Sequence, residues 1–343
     1  MPALAHASDD GGSASGAQPP LLSIIVVSYN TREMTMACLA SVMAETQDAP
    51  YELIVVDNAS SDDSAAAIAT LGHRVRLMAL NENIGFARAN NLAAGKARGD
   101  FILLLNPDTL VLDRAIDRLA TFASANPAAG IWGGRTLFGD GRLDPTSVWA
   151  RMTPWSMMTR AIGLDTAMPS VSLFNPEGYG GWQRDSIRPV DIVCGCFLLI
   201  RTELWERLGG FDRAFFMYGE EADLCLRAAK LGARPLFTPT ASIVHYGGAS
   251  ERTQAGKVEK LFRAKVTLMR RHWSAPARAF GLAMLMVWPL SRLLAATVLG
   301  RTAQAAMWWE VWSNRAGWLV GYDEPASSPA RTVTSLDAGQ PAQ

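Results

Sequence analysis

A chain of 343 residues with 49% hydrophobic content can bury a full core, enough for one large domain with appendages. Its 32 basic and 32 acidic residues cancel, so no whole-chain electrostatic attraction to nucleic acid exists and an anionic ligand must meet local groups. The four cysteines, Cys38, Cys194, Cys196 and Cys225, fit neither a disulfide framework nor a four-ligand zinc site and read as reduced thiols of a cytosolic protein.

Residues 1–20 are mostly Ala, Ser, Gly and Pro, lack the basic start and apolar stretch of a signal peptide, and read as a disordered leader. From Leu21 onward, apolar runs at 23–27, 52–56, 75–80 and 101–105 alternate with helical patterns, the signature of βαβ units and an open α/β fold with a parallel sheet. The first helix is expected to start at Asn30, with Glu33 three residues on, and to place Met34, Cys38, Leu39, Val42 and Met43 on one face. Ser60 with Asp63 is expected to cap a second helix that Gly72 ends, and a third runs from near Gly85 to Arg98, stopped by Gly99.

Ser28-Tyr29-Asn30, Asp57-Asn58, Asn81-Glu82-Asn83 and Asn106-Pro107-Asp108 stand at the carboxyl ends of these four runs. Helix capping explains any one such cluster, but four in register favour a ligand crevice beyond the strand ends. Asp57 sits where an acidic residue binds ribose or base in many α/β folds, yet no GxGxxG follows the first strand, which argues against a dinucleotide dehydrogenase and leaves a mononucleotide. Gly85 falls at a helix start whose N–H groups are placed to face a phosphate, with Arg88 to add charge, although taken in isolation the stretch is better read as a plain turn and an exposed Arg. Asp108 has two readings: N-cap of the helix VLDRAIDRLATFA, or ligand of a divalent cation bridging two phosphates.

Residues 139–188 are loop-rich, and order returns at VDIVCGCFLLI (190–200), where Cys194 and Cys196 would share one strand face as small core residues. The helix TELWERLGG follows. Glu220, Glu221 and Asp223 then crowd the start of an amphipathic helix that turns Leu224 and Ala228 inward; the dipole accounts for one carboxylate, and three suggest a site that uses at least one. His245 ends a short apolar strand and can join a carboxylate as a metal ligand. Residues 255–272 form a basic amphipathic helix, 279–300 an apolar stretch broken by Pro289 and Arg292 so that its unbroken part falls short of the ~20 residues of a span, and Trp308, Trp309 and Trp312 an aromatic-rich helix. A buried helical pair and peripheral membrane contact through 255–320 compete for this segment. Residues 323–343 read as a disordered tail.

In order, SIIVVSYN, VVDNASSD, NIGFARANN, LLLNPDT, GGFD, FFMYGEEADLCLR and His245 resemble the family 2 glycosyltransferases of the GT-A fold, and most closely bacterial rhamnosyltransferase-like members that build cell-envelope polysaccharide. The resemblance covers residues 21–250 and implies a Rossmann-like nucleotide-sugar-binding sheet, with residues 251–322 as a C-terminal helical extension. It implies that the donor lies against Ser28, Tyr29, Asn30, Asp57, Asn58, Asn83 and Gly85. It also implies that Asn106-Pro107-Asp108 replaces the family's Asp-x-Asp motif, Asn106 orienting ribose or water, and that Asp108 and His245 hold Mg²⁺ or Mn²⁺. The catalytic base falls on Glu221, a Glu where the family has Asp, with Glu220 positioning the acceptor and Asp223 as the alternative base.

The function so implied is inverting, metal-dependent transfer of a sugar, L-rhamnose from dTDP-L-rhamnose, to an envelope glycan on a lipid carrier at the inner face of the plasma membrane. A UDP-linked donor and a non-catalytic sugar-nucleotide-binding protein are the alternatives.

Overall fold

The computed structural model describes residues 20–247 and 253–322; the expected leader and tail lie outside the described residues, apart from Pro20. The four apolar runs form parallel strands β1 (Leu22–Ser28), β2 (Tyr51–Asp57), β3 (Arg76–Ala79) and β4 (Phe101–Leu105), in sheet order β3-β2-β1-β4. Every residue of β1 and β4 is buried because successive side chains enter opposite cores, Ile25 and Val27 on one face and Ile24 and Val26 on the other.

The connecting helices are α1 (Arg32–Glu45), α2 (Ser64–Ala69) and α3 (Phe86–Ala94), and their ends differ from expectation. Asn30 cannot open α1, since its backbone is left-handed (φ 52°) and its Oδ1 accepts the Ser61 N–H at 2.7 Å. Met34 is exposed, and Thr35 takes the buried place on that face. Asp62, not Ser60, accepts the Ser64 N–H at the start of α2, and Gly72 opens a separate 3₁₀ turn after that helix has ended. The third helix stops at Ala94, so Gly99 is not its terminator. Gly99 is there for space: a Cβ would come within 2.6 Å of the Ser23 nitrogen and 2.7 Å of the Leu22 carbonyl carbon.

The second half adds β5 (Thr109–Val111), α4 (Ala115–Ala125), β6 (Ile131–Leu137), β7 (Leu143–Asp144), β8 (Val148–Trp149), α5 (Pro154–Ala161) and α6 (Leu164–Ala167). It continues with β9 (Arg188–Pro189), β10 (Ile192–Val193), β11 (Phe197–Arg201), α7 (Thr202–Leu208), α8 (Glu220–Lys230) and β12 (Leu236–His245). Here the sheet turns mixed: β11 lies antiparallel between β4 and β6, while β12 runs parallel to β6 and antiparallel to β5. Asp108 is no helix cap, because β5 intervenes and α4 begins only at Ala115. The VDIVCGCFLLI run is two strands, with Cys194-Gly195-Cys196 in the turn between β10 and β11, so the two thiols do not share a strand face.

Helices α9 (Gln254–His272), α10 (Ala275–Val298), α11 (Thr302–Ser313) and α12 (Arg315–Leu319) close on their own core of Phe262, Met269, Leu285, Val311 and Trp318. Contrary to expectation, Pro289 does not break α10, which is continuous and, by length and composition alone, long and apolar enough to cross a bilayer. It is not a buried core helix either: only Gly281, Leu285, Pro289 and Ala296 are buried along it, and Arg292 ties it to Asp165 at 3.2 Å.

Because the Gly99 site lies against the backbone of β1, Gly99→Ala forces the central strand to move. We expect a loss of about 1–3 kcal/mol in urea unfolding; an unchanged midpoint would show that the chain relaxes there freely.

Candidate active site

The carboxyl ends of β1, β2 and β4 open onto a crevice of about 500 Å³. Of the donor-side residues, Tyr29, Asn58, Asn83, Gly85 and Asn106 line it. Asn58 and Asn83 are interlocked: Asn58 Nδ2 donates to Asn83 Oδ1 at 2.9 Å, and Asn58 Oδ1 accepts the Ile84 N–H at 3.0 Å. Gly85 is required by its left-handed backbone (φ 83°) and by Phe216, whose ring and carbonyl would stand 2.7 Å from any Cβ.

Two of the N–H groups at that helix start are already taken. Gly85 donates to Asn83 Oδ1 and Phe86 to the Phe216 carbonyl, both at 2.9 Å. Arg88 turns away from the crevice toward the Arg213 carbonyl, 3.4 Å from its Nε. Ser28 is buried behind the wall, 2.9 Å from the Thr35 hydroxyl, and Asn30 is exposed and stitches the β1 end to Ser60 and Ser61. Asp57 is buried beside Asn58; its Oδ2 accepts the Ser60 N–H at 3.1 Å, while its Oδ1 has no partner among the described residues.

On the opposite wall, pairing of β5 with β12 sets Thr109 across from His245 and brings His245 Nε2 to 3.4 Å from Asp108 Oδ1. The Tyr246 N–H donates to the Asp108 carbonyl at 3.0 Å and holds that geometry. Asp144, which the sequence did not single out, faces the other imidazole nitrogen at 3.8 Å. Burial works against an imidazolium, but Asp108 and Asp144 outweigh it and lift His245 to about 10. Two donor atoms 3.4 Å apart suit two ligands of one small cation, and no group of three or more His, Cys, Asp or Glu among the described residues could hold a metal ion. Any cation here would fill its other positions with phosphate oxygens and water.

Glu220 and Glu221, in the first turn of α8, face the same crevice, and each leaves a buried Oε2 without a partner among the described residues. Burial pushes Glu221 up to about 7; burial, then the Glu221 charge, raises Glu220 well above the usual carboxylate range. The pair therefore holds a proton at neutral pH. Asp223, the alternative base, does not reach the crevice. Its carboxylate is committed to Arg227 Nε at 2.6 Å and His272 Nε2 at 2.8 Å, which keep it below its ordinary range against the opposing effect of burial. Phe138, Phe216 and Tyr246, all exposed, rim the crevice, and Lys257 of α9 enters it.

A family model described as Glycosyl transferase family 2 matches residues 23–208, more than half of the chain. The O-antigen biosynthesis protein RfbC of Myxococcus xanthus is 28% identical over 69% of this chain, which spans only 18% of that protein. The N-acetylglucosaminyl-diphospho-decaprenol L-rhamnosyltransferase of Mycobacterium tuberculosis is 29% identical over 75% of this chain and 88% of its own length. Among solved structures, the mannosyltransferase PcManGT of Pyrobaculum calidifontis, in complex with GDP-Man and Mn²⁺, matches with a TM-score of 0.54 at 19% identity, covering 88% of this chain and 86% of its own. The fold is thus GT-A with C-terminal helices.

Raised carboxyls cost stability at high pH. Above the ordinary carboxylate value the unfolded chain has released protons that the folded Glu pair still holds, so stability falls as pH rises; above the ordinary imidazole value His245 adds to the fall. The thermal midpoint should therefore drop between about pH 5 and about pH 6.5, a window that belongs to the Glu pair, and Glu220→Gln should flatten it there. A flat wild-type midpoint would mean that the pair is ionised in the fold.

Proposed function

The chain belongs to glycosyl transferase family 2, and on that premise we propose that it is an inverting glycosyltransferase that moves L-rhamnose from dTDP-L-rhamnose to a lipid-linked envelope glycan. The observation that carries this reading is the pairing, across one crevice, of a proton-accepting carboxyl, Glu221, with the Asp108–His245 couple. The name of the M. tuberculosis relative supports the sugar and the diphospho-prenol acceptor.

Asn58, Asn83 and the partnerless Asp57 Oδ1 would take the nucleoside. Mg²⁺ or Mn²⁺ held by Asp108 and His245 would offset the charge of the departing diphosphate. The imidazole must shed its proton to bind such a cation, and Asp144 then keeps the ring oriented from the far nitrogen. Glu221 withdraws the proton of the acceptor hydroxyl, which attacks the anomeric carbon from the face opposite the leaving nucleoside diphosphate; one displacement inverts configuration and needs one base. Glu220, which shares the pair's proton, positions that hydroxyl. The reaction belongs on the cytoplasmic side of the membrane. The exposed apolar surface of Leu294, Val298, Leu299 and Trp309, next to exposed Arg301 and Arg315, supports peripheral contact with an anionic bilayer.

Purified protein incubated with dTDP-, UDP- and GDP-sugars, with and without Mg²⁺ or Mn²⁺, should release nucleoside diphosphate from dTDP-rhamnose alone, and Asp108→Ala should abolish it. Release from a UDP-sugar would correct the donor, and absence of any nucleotide binding would sink the reading. Glu221→Gln should lower kcat by about 10²- to 10⁴-fold, whereas Asp223→Asn should lower the thermal midpoint and leave kcat within a few-fold. The opposite pattern would make Asp223 the base. With Glu221 as base, kcat should climb as pH rises through about 7 and level off above it. The protein should float with anionic but not with neutral vesicles, and Leu294→Ser with Val298→Ser should leave it in the pellet fraction; wild type that never floats would refute the membrane contact.

A further inference from the structure

Lys257 has no counter-ion among the described residues, in a crevice lined by four carboxyl groups. Asp108, Asp144, Glu220 and Glu221 all line the same space, yet the Lys257 ammonium makes no ion pair with any of them, nor a side-chain hydrogen bond among the described residues. It also stands in the first turn of α9, where the helix dipole disfavours a cation, and its side chain is half-buried. Among the described residues no side chain compensates these costs. Nor is the helix end itself the attraction, since Thr253 already accepts the Gly256 N–H with its hydroxyl and the Lys257 N–H with its carbonyl.

We propose that Lys257 binds the diphosphate group that this crevice accommodates, which makes α9 a wall of the active site; this rests on the glycosyltransferase reading. As the glycosidic bond breaks, the leaving diphosphate gains negative charge. A cation beside the anionic Asp108 offsets only part of it, and a flexible ammonium is suited to supply the rest as a point charge. The same chemistry would recognise a diphosphate on a prenyl acceptor, and the two sources separate by experiment.

Full-length wild type, Lys257→Met and Lys257→Arg would be titrated calorimetrically in Mg²⁺ with dTDP, UDP, thymidine and farnesyl diphosphate. Lys257→Met should weaken the nucleoside diphosphate by about 10- to 100-fold and leave thymidine unchanged, with Lys257→Arg recovering most of the loss. Weakening confined to farnesyl diphosphate would assign the group to the acceptor. Unchanged affinity for every diphosphate, in a protein that binds nucleotide as wild type does, overturns this inference alone; wild type that binds no nucleotide overturns the glycosyltransferase reading with it.

Discussion

Crowding of negative charge is the constraint on which this structure turns. Asp108, Asp144, Glu220 and Glu221 share one crevice with, among the described residues, a single imidazole, His245, and a single ammonium, Lys257. Charges gathered in a poorly hydrated space repel and must be neutralised by protons or by cations. The shifts point to protons: burial raises Glu220 and Glu221, and Asp108 and Asp144, against the effect of burial, raise His245.

The fold supports that arrangement from outside the crevice. The β5–β12 ladder fixes Asp108 against His245, and a mixed sheet is needed for it, because only an antiparallel neighbour sets the end of β12 against the start of β5. Helix α8 carries the Glu pair and is anchored one turn on, where Asp223 binds Arg227 and His272. Removing one partner of such a buried cluster typically costs about 3–5 kcal/mol, so Asp223 is more valuable as an anchor than as a base. Among the described residues, Glu220 and Glu221 each keep a partnerless oxygen, while Asp223 is bound by both Arg227 and His272.

What was legible beforehand follows from the range of each interaction. Strands β1, β2 and β4 announce themselves because both faces are buried and the whole run is apolar, and polar residues at their ends mark the crevice. Helix ends were less legible: Asn30 and Asp63 look like caps, yet both adopt left-handed backbone, and Asp62 accepts the N–H groups of Arg32 and Ser64 at the two helix starts. Gly85 and Gly99 are each explained by a distant segment, Phe216 and β1 respectively, that no local pattern reveals. For the same reason Asp144 passed as a loop residue and Lys257 as one charge among many on a basic helix. Asp223, by contrast, looked chemical because its neighbours are, while its partner His272 lies on another helix.

The helices beyond residue 250 are then not an appendage to the catalytic sheet. His272 of α9 holds α8, and Tyr322, after α12, donates its hydroxyl to the Met217 carbonyl at 2.7 Å in the loop that leads into the Glu pair. A buried network carries the connection outward. Glu177 accepts Arg160 Nη1 at 2.9 Å and faces Lys265 of α9 at 3.7 Å; Arg160 in turn binds Asp165, which binds Arg292 of α10. Despite burial, Lys265 and Arg160 hold Glu177 down to about 2, so its carboxylate stays ionised, while burial lowers Lys265. Loop 139–188, α9 and α10 are thereby locked to one another. The exposed apolar face of α10 and the crevice lined by Lys257 are thereby joined through one chain of ion pairs, so a surface engaging the first would bear on the orientation of the second.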